Sequence, residues 1–152
     1  MQLLKIYYAY FSPGNTTEKV VSHIASSFQN YPVESINLTD YATRQEDYYF
    51  KENELLIIGV PAYGGRVPAP VVDALRHFTG SNTPVVLVAT YGNRDIDDTL
   101  IELKKNVIDK GFIPVSAASF VCQHTFLKEC AEGRPDEEDL KMAGEFGDKL
   151  KE

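Results

Sequence analysis

Apolar positions along the chain follow two rhythms, and their alternation lays out a fold. Leu3-Leu4-Lys5-Ile6-Tyr7-Tyr8-Ala9-Tyr10 is apolar nearly throughout, as a central strand covered on both faces should be. From Thr17 to Phe28 the period becomes 3.6, with Val20, Val21, Ile24, Ala25 and Phe28 on one helical face. Val33-Glu34-Ser35-Ile36-Asn37-Leu38 alternates apolar and polar, the pattern of a half-exposed edge strand. Leu55-Leu56-Ile57-Ile58-Gly59-Val60 returns to the continuous form, and Val71, Val72, Leu75 and Phe78 predict a helix over residues 69–78. Val85 to Thr90 is a fourth strand. Ile96, Leu100, Leu103 and Val107 mark a helix with Asp95 as its N-cap and Gly111 as its stop. A fifth strand spans Phe112 to Val121, and Asp136 caps a last helix through Leu140, Ala143 and Leu150. Residues 40–53 fit neither rhythm. Their aromatics, Tyr41, Tyr48, Tyr49 and Phe50, are expected to pack a loop or short helix on the sheet rather than to cover a ligand.

Strand and helix alternate throughout, which predicts an α/β protein with a parallel sheet covered on both sides. Five strands with right-handed crossovers give a doubly wound sheet of order 2-1-3-4-5, whose chain reverses direction across the sheet between strands 1 and 3. Ligands bind such sheets outside the carboxyl ends of the strands at that switch point. The unusual loops follow strands 1, 3 and 4. They are Ser12-Pro13-Gly14-Asn15-Thr16-Thr17, Pro61-Ala62-Tyr63-Gly64-Gly65-Arg66-Val67-Pro68, and Thr90-Tyr91-Gly92-Asn93-Arg94. All three are expected to line one crevice.

The first loop turns a buried strand into a helix through small and hydroxylated residues. The opening amides of a helix lack internal partners and its dipole favours negative charge, so this is an anion site. It contains no Lys or Arg, and the first cation, Lys19, is already in the helix. A nucleoside-triphosphate loop of the form G-x-x-x-x-G-K-[ST] is thereby excluded. The anion falls to hydroxyls and amides of Ser12, Asn15, Thr16 and Thr17.

Composition narrows the class further. The 152 residues suit a single domain, residues 1–152. No run of about 18 apolar residues suggests a membrane span, and the N-terminal stretch lacks the marks of a signal peptide, so a cytoplasmic protein is expected. The net charge of −7 disfavours nucleic acid and anionic membranes and favours a basic protein partner. Two cysteines, Cys122 and Cys130, match no metal or cluster spacing and read as reduced thiols. His23, His77 and His124 form no metal constellation; His124 is a weak candidate for the site.

The three loops together resemble those of the flavodoxin-like family, whose phosphate loop is commonly written [ST]-x-T-G-x-T. Tyr10-Phe11-Ser12-Pro13, residues 59–68, Tyr91-Gly92-Asn93-Arg94 and Gly133-Arg134-Pro135-Asp136 resemble more closely the flavodoxin domain found joined to bacterial-type ferredoxin modules. Two positions depart from the family pattern. Gly14 replaces the usual Thr, and Asn15 stands where Gly is usual; Asn is the non-glycine residue that best tolerates φ > 0. No C-x-x-C motif is present. The resemblance implies a short-chain type of the fold and FMN as cofactor, held by Ser12, Pro13, Gly14, Asn15, Thr16 and Thr17 at the phosphate and by Pro61, Ala62, Tyr63, Gly64, Gly65, Arg66, Thr90, Tyr91, Gly92, Asn93 and Arg94 around the ring. Tyr63 and Tyr91 are ring contacts or ordinary packing. Gly64 either supplies a peptide that turns its carbonyl to the N5–H of reduced flavin or belongs to a plain tight turn. Arg66 and Arg94 face the ring edge, a partner or solvent. The implied function is low-potential electron transfer between redox proteins, a ferredoxin or a reductase among them. A net charge of −7 opposes adding negative charge to the cofactor and lowers its second potential. The alternatives are an FMN-dependent NAD(P)H or quinone reductase, and a flavodoxin fold without FMN acting as an interaction module.

Overall fold

The computed structural model describes residues 2–92, 98–122 and 133–151. The elements in chain order are β1 (Lys5–Tyr10), α1 (Thr16–Ala25), β2 (Val33–Asn37), α2 (Tyr41–Arg44), β3 (Tyr48–Tyr49), β4 (Glu54–Pro61), α3 (Ala69–Leu75), β5 (Phe78–Thr79), β6 (Thr83–Tyr91), α4 (Thr99–Asp109), β7 (Phe112–Val121) and α5 (Glu137–Leu150). The main sheet has five parallel strands in the order β2-β1-β4-β6-β7. Counting only these five, the order is the expected 2-1-3-4-5. The continuous apolar runs sit where that reading requires. All eight residues of β4 are buried, and so are the first eight of β6. β2, at an edge, buries only Ile36.

The sheet divides the core in two. One layer joins Leu56, Ile58, Val60 and Leu87 to Val71 and Leu75 of α3 and Leu103 and Val107 of α4. The other joins Ile6, Ile57, Val86 and Val88 to Val20, Val21 and Ile24 of α1 and Ala143 of α5. At roughly 25 cal/mol per Å² of apolar surface buried, these two faces drive the fold. Helix α4 ends as expected, with Gly111 at φ 94° just beyond its cap. The expected Asp95 cap and the Ile96 contact lie outside the described residues. No helix among the described residues is long and apolar enough to cross a membrane.

Residues 40–53 resolve into pieces too short to carry a period. Asp40 caps the four-residue α2 by accepting the Thr43 amide at 3.0 Å. Strand β3 pairs with β5 as a two-residue ladder, so Phe78 belongs to a strand rather than to the helix before it. Tyr48 and Phe50 pack on the core beside Phe78, at ring separations of 5.3 Å, while Tyr41 and Tyr49 are exposed.

The cap of α5 is reciprocal. The Asp139 amide donates to Asp136 Oδ1 at 2.9 Å, and the Asp136 amide donates to Asp139 Oδ2 at 3.0 Å. Arg134 closes the unit by donating to both oxygens of Asp139. The Arg134 guanidinium holds the Asp139 carboxyl below the usual carboxylate range. A carboxyl with a depressed folded-state pKa adds stability above its unfolded value and loses it as pH falls through the folded one. Asp139→Asn should therefore flatten the acid limb of stability as pH falls through and below the ordinary carboxylate range, measured by urea unfolding along that limb. Equal slopes for variant and wild type would remove Asp139 as a source of that limb.

Candidate functional site

The carboxyl ends of β1, β4 and β6 lie side by side, because Tyr10 pairs with Gly59 and Pro61 pairs with Thr90. The chain leaves β1 toward β2 on one side and returns across it to β4 on the other. The loops after β1, β4 and β6 thus start at the switch point and are cross-linked there. The Ala62 amide donates to the Thr90 carbonyl at 2.8 Å. The hydroxyls of Thr17 and Thr90, both buried, are 2.8 Å apart. Phe11 and Tyr63 meet edge to face at 6.3 Å. The Asp98 amide, at the cap of α4, donates to the Gly65 carbonyl at 3.1 Å.

The first loop is shaped from within. Asn15 sits at the N-cap of α1 in the left-handed region, φ 65° and ψ 2°, and its side chain makes no capping bond. Its amide donates to the Ser12 carbonyl at 3.0 Å. Capping falls instead to Ser12 Oγ, which accepts the Glu18 amide at 3.0 Å. The Ser12 amide is held by Thr39 Oγ1 at 2.7 Å, a tether from beyond β2 that sequence reasoning passed over. Pro13, Gly14 and Asn15 are exposed and Thr16 is half-buried. Among the described residues the amides of Gly14, Thr16 and Thr17 have no partner. Ser12 and Thr17 hydroxyls therefore shape the loop, and the backbone donors it leaves unpartnered among the described residues are the amides of Gly14, Thr16 and Thr17.

Beneath this loop lies Cys122, a free thiol buried among the hydroxyls of Thr16 and Thr90, whose amide donates to the Tyr91 carbonyl at 2.6 Å. Burial pushes the thiol up to about 12, so it stays protonated at neutral pH. Tyr10, at the end of β1, is likewise pushed up to about 12 by burial and by the Glu18 carboxylate that it bonds. Cys130 and His124 lie outside the described residues.

The second loop is a two-residue turn. Tyr63 and Arg66 exchange both backbone bonds at 3.0 Å, with Gly64 at φ 58° and Gly65 at φ 75° between them. Two consecutive positive φ values define a type I′ turn, which Gly-Gly adopts without strain. Gly64 is exposed, and a Cβ there would meet nothing within 4 Å. Arg66 turns away to Glu102 of α4, donating from Nε at 2.9 Å and Nη2 at 3.0 Å. Glu102 also accepts the Val67 amide at 2.9 Å. No sequence signal marked Glu102, which reads there as a solvated helix face.

Of the third loop, Thr90 is buried and Tyr91 and Gly92 are half-buried, so Tyr63 and Tyr91 both stand partly open at the crevice. Asn93 and Arg94 lie outside the described residues. Thr99, the first residue of α4, is fully buried, and its hydroxyl has no partner among the described residues.

No family model matches the chain, and no curated protein matches it. Solved structures do. A flavodoxin from the domain Archaea aligns over 97% of this chain and 96% of its own, with a TM-score of 0.66 at 13% identity. A flavodoxin from Streptococcus pneumoniae TIGR4 aligns over 97% of each chain, with a TM-score of 0.66 at 15% identity. A short-chain flavodoxin associated with a PDU bacterial microcompartment aligns over 97% of each, with a TM-score of 0.64 at 17% identity. Taken with the strand order, these similarities establish that the chain has the flavodoxin-like fold.

Proposed function

We propose that the chain binds FMN at this crevice and carries electrons between redox proteins. The observation that carries the reading is the row of amides at Gly14, Thr16 and Thr17, which have no partner among the described residues. They belong to a loop without a cation, at the start of a helix and at the switch point of the sheet. Such a donor set fits a monoester phosphate, which accepts several hydrogen bonds and gains from the helix dipole. Tyr63 and Tyr91 offer flat apolar cover for a ring beside it. FMN, when bound, supplies the one- and two-electron chemistry.

In this reading each group of residues has one task. The α1 amides hold the phosphate. Tyr63 and Tyr91 shield the ring from water. The Gly64–Gly65 peptide, which has no partner among the described residues, supplies a carbonyl or an amide to the ring edge according to its rotation. The net charge of −7 suits brief docking to a basic face of a ferredoxin or a reductase. The likeness of the loops to flavodoxin domains joined to ferredoxin modules supports partners of that class.

The test is an absorption spectrum of the purified protein followed by titration of the apoprotein with FMN. Flavin bands, or saturation at about micromolar FMN, are expected. A colourless protein that binds no FMN in that range would end this reading.

A further inference from the structure

The turn at residues 63–66 is anchored on α4 rather than on its own strand. Three of its fixings come from that helix. The Asp98 amide holds the Gly65 carbonyl at 3.1 Å. Glu102 holds the Arg66 guanidinium through two bonds. The same carboxylate holds the Val67 amide at 2.9 Å. On the other side, the Ala62 amide is tied to Thr90. Between these fixings, the Gly64 carbonyl and the Gly65 amide have no partner among the described residues, and space around Gly64 is open. Everything in the turn is held except one peptide.

That peptide has two low-strain orientations. Rotating it by half a turn converts the type I′ geometry into type II′, in which the first central residue keeps φ > 0 and the second does not. Gly64 serves both states. With Ala62, Gly65 and Val67 fixed, only this unit moves, and little ordering remains to be done when its carbonyl or amide meets a ligand. Glu102 is the residue that makes the C-terminal flank rigid. Its side chain is three-quarters buried, whereas the Arg66 side chain is two-thirds exposed. The exposed ion pair contributes little by itself; the Val67 amide and the bidentate geometry set the position.

We infer that Glu102 is a positioning residue for the flavin ring, anchoring the 63–67 turn on α4 so that the Gly64–Gly65 peptide alone rotates to follow the redox state of the cofactor. This rests on the FMN reading above. Loosening the flank makes the rotated state harder to order and leaves the phosphate end untouched.

Glu102→Ala and Glu102→Gln test it in two arms. In the apoprotein, amide hydrogen exchange at Val67 should speed up about tenfold or more in Glu102→Ala and stay near wild type in Glu102→Gln, whose side-chain carbonyl still accepts the bond. In the FMN-loaded protein, Glu102→Ala should lower the first reduction midpoint by an amount equal to about a three- to tenfold change in relative affinity, roughly 30–60 mV for one electron. Glu102→Gln should recover most of it, and affinity for oxidised FMN should change by less than about threefold. Unchanged exchange at Val67 in Glu102→Ala would overturn the anchor. Faster exchange with an unmoved midpoint would overturn the positioning role while leaving FMN binding intact. Failure of the wild type to bind FMN would overturn both the role and the reading it rests on, whatever the exchange arm shows.

Discussion

Riboflavin should bind this protein about a hundredfold more weakly than FMN. The two ligands differ only in the phosphate, so the ratio isolates the first loop. Three amides, at Gly14, Thr16 and Thr17, have no partner among the described residues, and a hydrogen bond to a charged acceptor contributes about 1.5–3 kcal/mol. The gross gain is about 4.5–9 kcal/mol. Stripping water from the phosphate offsets part of that, and about 3 kcal/mol net corresponds to a hundredfold. The loop conformation sets the aim of the amides, and Asn15 at φ 65° sets the loop. Asn15→Ala places a Cβ in the left-handed region without the local hydrogen bonding of Asn, at a cost of about 1 kcal/mol. It should weaken FMN about fivefold and leave riboflavin unchanged, while Asn15→Gly should match wild type for both. Parallel fluorescence titrations measure all six affinities. Equal binding of FMN and riboflavin by the wild type would refute the phosphate assignment, whatever the ring contacts do.

The reach of the sequence is visible in those same residues. Continuous apolar runs located β1, β4 and β6, because a strand buried on both faces has nowhere to put a polar side chain. Their parallel order then fixed where the loops had to meet. The tolerance of Asn for positive φ was legible at position 15 for the same reason that it is a rule: it is local. The use of each hydroxyl was not. Ser and Thr satisfy either a ligand or a backbone, and only the fold shows that Ser12 Oγ takes the Glu18 amide and that Thr17 meets Thr90, 73 residues away. Glu102 was hidden similarly. A charged residue on a helix reads as solvated until the Val67 amide, 35 residues off in sequence, arrives beside it. The segment 40–53 was opaque because β3 exists only through its partner β5, with the Tyr48 amide on the His77 carbonyl and the Phe50 amide on the Thr79 carbonyl, both at 2.8 Å. A two-residue strand has no period to detect.

Gly59→Ala should be among the most damaging single substitutions outside the loops. An isolated glycine in a buried strand signals close approach of another element, and here the element is α1. A Cβ on Gly59 would lie 2.1 Å from Val21 Cγ2 and 3.2 Å from Thr17 Cγ2. Val21 and Thr17 are β-branched and stiff at χ1 in a helix, and Val21 is fully buried. Val21 has one strongly preferred rotamer in a helix, and the Thr17 hydroxyl is tied to Thr90, so the helix must lift from the sheet. Overpacking of this kind costs about 1–3 kcal/mol, which for a chain of this size lowers Tm by roughly 2–12 °C. The displaced helix carries the Thr16 and Thr17 amides, so FMN should weaken more than riboflavin. The strain has one source, which a second substitution can remove. Val21→Ala deletes the clashing methyl and costs stability in the wild type through the cavity it leaves. In the Gly59→Ala background it should cost less or restore stability, a coupling of about 1 kcal/mol or more between the two sites. Additive losses in that double-mutant cycle would mean that α1 does not rest on Gly59. A Gly59→Ala protein with wild-type Tm would mean that the close approach of helix and strand, on which the placement of the phosphate loop depends, is not held by this contact.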